Sequence, residues 1–93
     1  MLINLKAGTS PESTATIADE LRALPPQIPS IRRYEVGTGI NPGNASIAVI
    51  ASFDDVAGYQ DYLDHPAHKA VGEKFIVPVL GGTSMIQFEV PAP

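Results

Sequence analysis

The sequence predicts an α+β domain with the element order strand, helix, strand, strand, helix, strand. Two segments repeat apolar residues at helical spacing: Ile17, Leu21 and Leu24, then Val56, Tyr59 and Leu63. Around them lie four short stretches that alternate along the chain or form compact apolar runs, as strands do. Prolines and glycine pairs fall between these stretches and mark their ends. At 93 residues the chain is one domain, residues 1–93. A chain of this size hides roughly 65% of the surface its unfolded form exposes, enough for one core.

Leu2 to Ala7 reads as the first strand, followed by a turn at Gly8-Thr9. Ser10-Pro11-Glu12 is a helix start, because Ser10 can accept a bond from a free N–H and proline suits the first helical position. Ile17, Leu21 and Leu24 form that helix's buried stripe, widened by Ala15 and Ala18, and Pro25-Pro26 ends it. Ile31 to Ile40 is the second strand, with Tyr34 and Val36 on one face and Arg33 and Glu35 on the other. Asn41-Pro42-Gly43-Asn44 is a turn.

Ser46 to Phe53 is the third strand. Ile47, Val49, Ala51 and Phe53 share one face, and Ala48, Ile50 and Ser52 the other. Asp54-Asp55 caps a helix carrying Val56, Tyr59 and Leu63. His65-Pro66 interrupts it, and a second helical piece starts at Pro66 with Ala70, Val71, Phe75 and Ile76 as its apolar face. Pro78 and Gly81-Gly82 terminate that piece. Thr83 to Val90 is the final strand, with Ile86, Phe88 and Val90 alternating against Met85, Gln87 and Glu89, and Pro91-Ala92-Pro93 is a frayed tail.

This order is the split βαβ, or ferredoxin-like, arrangement: a four-stranded antiparallel sheet with the helices on one face. Right-handed crossovers put both helices on the same side and leave the other face bare. Yet the third strand is apolar on both faces, which a half-solvated sheet does not explain. A second copy covering the bare face resolves this, so the sequence predicts a homodimer. Two facing sheets make a dimeric α/β barrel whose interior is a natural small-molecule cavity.

Composition narrows the functions. Six basic against ten acidic residues give a net charge of −4. That balance argues against a nucleic-acid or anionic-membrane surface, since both need dense Lys/Arg patches. The apolar runs fall far short of the roughly 20 residues of a membrane span, and no signal peptide is visible, so a cytoplasmic location is expected. Cysteine is absent, which removes disulfides, thiolate metal sites and a cysteine nucleophile.

The segment from Tyr59 to His68 holds both histidines and two of the three tyrosines. In one unbroken helix Tyr62 and His68 would not share a face. The break at Pro66 lets them converge, with His68 in the first turn of the new helix, where the positive helix end disfavours an imidazolium. A neutral imidazole can act as a general base while a tyrosine hydroxyl polarises a substrate oxygen. Equally, His-Pro is an ordinary helix boundary, and a tyrosine near a helix end commonly packs with its hydroxyl in water. A metal site needs three or four converging ligands with a second shell, whereas Asp61, Asp64, His65 and His68 around a helix junction read as a solvated cap, so no metal is expected. Gly37-Thr38-Gly39 and Gly81-Gly82-Thr83 lack the lysine and glycine spacing of phosphate loops.

The chain resembles the stress-responsive α/β-barrel (Dabb) family over nearly its whole length. The resemblance runs through Lys6-Ala7-Gly8-Thr9-Ser10-Pro11-Glu12, Leu21-Arg22-Ala23-Leu24, Ile28-Pro29-Ser30-Ile31 and Tyr34-Glu35-Val36-Gly37. Its most specific stretch is Tyr62-Leu63-Asp64-His65-Pro66-Ala67-His68. The resemblance implies a ferredoxin-like subunit in a dimeric barrel. A plant polyketide cyclase of this family uses a histidine and a tyrosine of this segment in an aldol cyclisation, and those roles fall on His68 and Tyr62 by motif position. Many members also carry a histidine at the start of a longer first strand. Aligned on Gly8-Thr9-Ser10, that position falls before Met1.

The expected function is a dimer that binds a small molecule, its identity not specified by the sequence and an aromatic or polyketide-like ligand implied by the resemblance, without a cofactor. Catalytic candidates are His68 and Tyr62, and candidate ligand contacts are His65, Tyr59, Tyr34 and Phe53. A cofactor-free monooxygenase of the antibiotic-biosynthesis type is an alternative, disfavoured by the absence of tryptophan. So is a stress-protective protein whose assembly is its function.

Overall fold

The computed structural model describes residues 1–41 and 45–90. The turn expected at Asn41-Asn44 falls mostly outside them, as does the tail expected at Pro91-Pro93. The elements are β1 (Leu2–Leu5), α1 (Pro11–Arg22), a 3-10 turn (Pro25–Gln27), β2 (Arg33–Thr38), β3 (Ile47–Ser52), α2 (Val56–Asp64) and α3 (Pro66–Val71). A π-helical turn (Gly72–Ile76), a 3-10 turn (Val77–Val79) and β4 (Leu80–Ser84) follow. The sheet order is β2-β3-β1-β4 and every pairing is antiparallel, which is the ferredoxin-like arrangement expected from the sequence.

Local chemistry sets the helix starts. The Ser10 hydroxyl accepts from the Ser13 N–H at 3.1 Å, with Pro11 in the first helical position. The Asp55 carboxylate caps α2 through the Gly58 N–H at 2.8 Å. Pairing aligns Ile3 with Ile47 and Val36 with Val49 on one sheet face. Ile3, Ile47 and Val49 pack there against Ile17, Leu21 and Leu24, which approach from above with Ile28. Arg22 ties the end of α1 to the sheet, its guanidinium donating to the Val36 carbonyl at 2.9 and 3.3 Å. On the opposite face Ile50 is 59% exposed and Leu2 47%. The bare face predicted from the right-handed crossovers is present, and it carries the apolar Ile50 of the two-sided third strand.

The structure departs from the sequence reading in three places. First, the inner face of α2 is centred on Tyr62 rather than Val56, with the expected Tyr59 and Leu63 packed against the core beside it. Tyr62 is its buried residue, while Val56 is exposed and Tyr59 and Leu63 are half-buried. Tyr62 offers more apolar area than Val56, and its hydroxyl finds a partner on the sheet. Second, of the apolar face expected after Pro66, Val71 is buried and Phe75 and Ile76 are half-buried, but Ala70 is exposed.

Third, the last strand lies earlier than expected. Gly81 and Gly82 sit within β4 rather than ending a helix, and Val77–Val79 with Pro78 makes the turn into the strand. The β1–β4 register shifts between Asn4 and Leu5. A Cβ on Gly81 would lie 3.1 Å from the Asn4 carbonyl oxygen and 3.2 Å from the Leu5 backbone, so a side chain at this bulge would have to push the β1 backbone aside by a few tenths of an ångström. Pairing stops at Ser84 opposite Leu2, and residues 85–90 have no strand partner among the described residues.

Leu24 is fully buried beneath the 3-10 turn, where both it and Ile28 meet the core. Leu24→Ala is expected to lower unfolding free energy by about 2–5 kcal/mol. Urea denaturation followed by circular dichroism measures it, and a loss below about 1 kcal/mol would contradict the core assignment.

Candidate functional site

The site begins at the helix break. His65 has φ −65° and ψ 133°, an extended conformation that ends α2 and starts α3. Its Nδ1 accepts the Ala67 N–H at 3.0 Å. In the neutral ring the proton therefore sits on Nε2. His65 is thus a cap, its Nδ1 committed to the backbone.

The change of direction at Pro66 brings His68 back onto Tyr62. Their ring centroids are 4.3 Å apart with planes inclined at 48°. Tyr62 lies between the helices and the sheet. Its hydroxyl is 3.0 Å from that of Tyr34, which rises from β2 opposite Ala51. Phe53 contacts the Tyr62 ring at 5.3 Å and the Tyr59 ring at 5.7 Å. Five of the six residues singled out in the sequence therefore form one cluster: Tyr34, Phe53, Tyr59, Tyr62 and His68. His65 stands apart from it. It lines a cleft of about 360 Å³ with Ile28, Pro29, Ser30, Asp61 and Asp64.

The cluster occupies the helix-covered face of the sheet. The expected cavity between two facing sheets would open onto the other face, so these side chains do not line a barrel interior. The sequence did not foresee the Tyr34–Tyr62 hydroxyl pair. Its signal was Tyr34 sharing a strand face with Val36, which placed it under the helices. Among the described residues no group of three or more His, Asp or Glu side chains could hold a metal ion.

Electrostatics keep the cluster neutral. Burial raises the Tyr34 hydroxyl pKa, and its bond to Tyr62 adds to the rise. Burial also raises that of Tyr62, with the Tyr34 bond acting against it. Burial, the larger effect, lowers the His68 pKa below its ordinary value, while hydrogen bonding to the Leu63 backbone acts the other way. Desolvation, rather than the helix end invoked from the sequence, is thus the main cause. His68 Nδ1 is buried with no bond of hydrogen-bonding geometry. A neutral imidazole with an uncommitted nitrogen beside a tyrosine hydroxyl can accept a proton from a bound molecule while the hydroxyl steadies an oxygen.

The chain matches the family model described as the stress responsive A/B barrel domain over residues 1–90. It is also similar to solved structures. A dimeric protein of unknown function with a ferredoxin-like fold from Bacteroides fragilis is 28% identical, with a TM-score of 0.84 over 96% of this chain and 90% of that one. A dimeric ferredoxin-like protein of unknown function from Thermobifida fusca is 31% identical, with a TM-score of 0.83 over 96% and 85%. A Dabb family protein with a ferredoxin-like fold from Mesorhizobium loti, 22% identical, shares the fold at a TM-score of 0.72 over 87% and 82%. No curated protein matches the chain. No helix among the described residues is long and apolar enough to cross a membrane.

The lowered His68 pKa gives a signed pH dependence. The folded chain binds fewer protons at His68 than the unfolded chain does in a window below the ordinary value of 6.5. Stability from this group is therefore fully present above that value and falls as the pH drops through the window. Nuclear magnetic resonance titration should place the His68 midpoint below 6.5. His68→Ala should flatten the acid side of the stability profile, and an unchanged slope would contradict this environment.

Proposed function

This chain belongs to the stress responsive A/B barrel domain family, and from that premise we propose that it is a homodimer that binds a small phenolic or β-keto compound at Tyr62 and His68. The observation that carries this is the buried His68 Nδ1, unbonded and held against the Tyr62 ring. Leaving a buried polar atom unsatisfied costs about 1–3 kcal/mol. A ligand O–H, or an acidic C–H beside a carbonyl, supplies the missing partner. The proton then moves to the imidazole, and the Tyr62 hydroxyl hydrogen-bonds the oxygen on which negative charge gathers. That is the acid–base step of an aldol-type cyclisation.

Non-enzymatic assembly is the competing function. It is favoured by the filled cluster, in which Tyr62 is only 5% exposed and Tyr34, Phe53 and His68 all touch it. Calorimetric titration with a phenolic and a β-keto compound, beside thermal melts, separates the two. Under the ligand hypothesis His68→Ala weakens binding about tenfold or more and costs little stability, since it removes an unpaired polar group. Tyr62→Phe, which deletes only a hydroxyl, weakens binding less. Absence of binding to the unaltered protein, with a loss of about 1–2 kcal/mol in His68→Ala, would favour assembly alone.

The homodimer has its own support in the bare face and in the dimeric relatives from Bacteroides fragilis and Thermobifida fusca. Ile50→Asp places a charge at the centre of that face and should yield folded monomers by sedimentation equilibrium. A dimer of unchanged affinity would overturn the face assignment.

A further inference from the structure

Tyr34 and Tyr62 meet oxygen to oxygen at 3.0 Å on the helix-covered side of the sheet. Neither hydroxyl has another hydrogen-bond partner among the described residues. Two hydroxyls carry two protons, and the contact between them uses one. Which tyrosine keeps the second proton decides what the site offers a ligand. We propose that Tyr34 is a positioning residue: its hydroxyl donates to the Tyr62 oxygen and so turns the Tyr62 proton toward a carbonyl oxygen of the ligand. This role rests on the ligand site proposed above, and it narrows the ligand to one that presents a carbonyl oxygen at Tyr62.

Position separates the two hydroxyls. Tyr62 is the ring packed on His68, with centroids 4.3 Å apart, and on Phe53, at 5.3 Å. Packing fixes that ring but not the direction of its O–H, which turns about the C–O bond. Tyr34 reaches Tyr62 from the sheet, with ring centroids 6.0 Å apart. It stands on β2, every residue of which pairs with β3, from Arg33 opposite Ser52 to Thr38 opposite Ile47. Its own cross-strand partner is Ala51, whose single methyl group leaves room for the tyrosine ring. A group on a fully paired strand is the better anchor for one carried near the end of a short helix, as Tyr62 is.

The acid–base balance of the pair runs the same way. Burial raises the pKa of both hydroxyls, and the bond between them raises that of Tyr34 further while drawing that of Tyr62 down. The Tyr34 O–H thus steadies negative charge that gathers on the Tyr62 oxygen. A hydroxyl that accepts one hydrogen bond also becomes a stronger donor of the next, because each bond polarises its neighbour. The chain from Tyr34 through Tyr62 to the ligand is therefore strongest when the ligand oxygen takes up charge. The carbonyl of a β-keto compound does so as its neighbouring C–H gives a proton to His68. An N–H in the same place would meet the Tyr62 proton and bury two donors face to face. With the bond reversed, Tyr62 would present a lone pair instead, and the site would select donors.

Ethyl benzoylacetate, isotopically labelled at its ketone carbon, is the probe. Nuclear magnetic resonance of that carbon in the bound state reports the hydrogen bond at its oxygen, and calorimetry gives the affinity. In Tyr34→Phe, with an unchanged circular dichroism spectrum, the dissociation constant should rise about two- to fivefold. The ketone signal should move upfield of its position in the unaltered complex, as it does when a hydrogen bond to the oxygen weakens. Tyr62→Phe should move it the same way and further. The variant carrying both changes should match Tyr62→Phe alone, because Tyr34 acts only through Tyr62. A downfield shift in Tyr34→Phe would overturn the proposal, since the Tyr62 proton would then have been spent on Tyr34. Additive shifts in the double variant would overturn it too. A signal moved by Tyr62→Phe but untouched by Tyr34→Phe would leave the ligand site standing and remove only the role of Tyr34. Failure of the unaltered protein to bind the probe would remove both.

Discussion

The fold depends on a sheet four strands wide whose two helical crossovers run over the same side. β1 is the centre of that sheet and only four residues long. Ile3 therefore carries a large share of the cohesion, with Ile47 beside it on the neighbouring strand and the helices above. Right-handed crossovers leave no freedom to place one helix on each face. Everything apolar on the helix side becomes core, and everything apolar on the other side needs another molecule.

The second constraint is local. Proline at position 66 prevents a single helix from running from Val56 to Val71, and His65 becomes the joint between two short helices. The joint serves two ends at once. It satisfies a free backbone N–H through the His65 ring, and it folds His68 onto Tyr62. The two histidines of the segment have divided roles for that reason. One ring spends a nitrogen on the backbone, and the other keeps one unspent in a dry environment.

What could be read from the sequence follows from how local each cause is. Ser10-Pro11 and Asp55 announce their helices because capping involves residues within a few positions. The bare face was legible from the handedness of the two crossovers, and its apolar character from Ile47 and Ile50 pointing opposite ways in one strand. Tyr59 and Leu63 were legible as inner residues of α2, but the burial of Tyr62 in place of Val56 was not, since it depends on Tyr34, 28 residues away. Val56 has the right spacing, but a hydroxyl partner across the sheet outweighs spacing. The final strand was misplaced for a similar reason. A glycine pair signals a helix end when only neighbours are considered, and a bulge becomes visible only once β1 lies beside it. In the site, the convergence of Tyr62 and His68 could be argued from the proline alone, whereas the unbonded nitrogen depends on packing from both sides.

Gly81 also acts as a switch of parity. Leu80 faces Leu5 on the core side, and without the extra residue at the bulge each later position of β4 would pair one place earlier. Thr83 would then point toward the open face and Ser84 toward the helices. A residue with no side chain, tucked against the backbone of Asn4 and Leu5, thus decides which residues at the end of β4 share the open face. A change at this position would register first in the company the protein keeps, before it registered in the core.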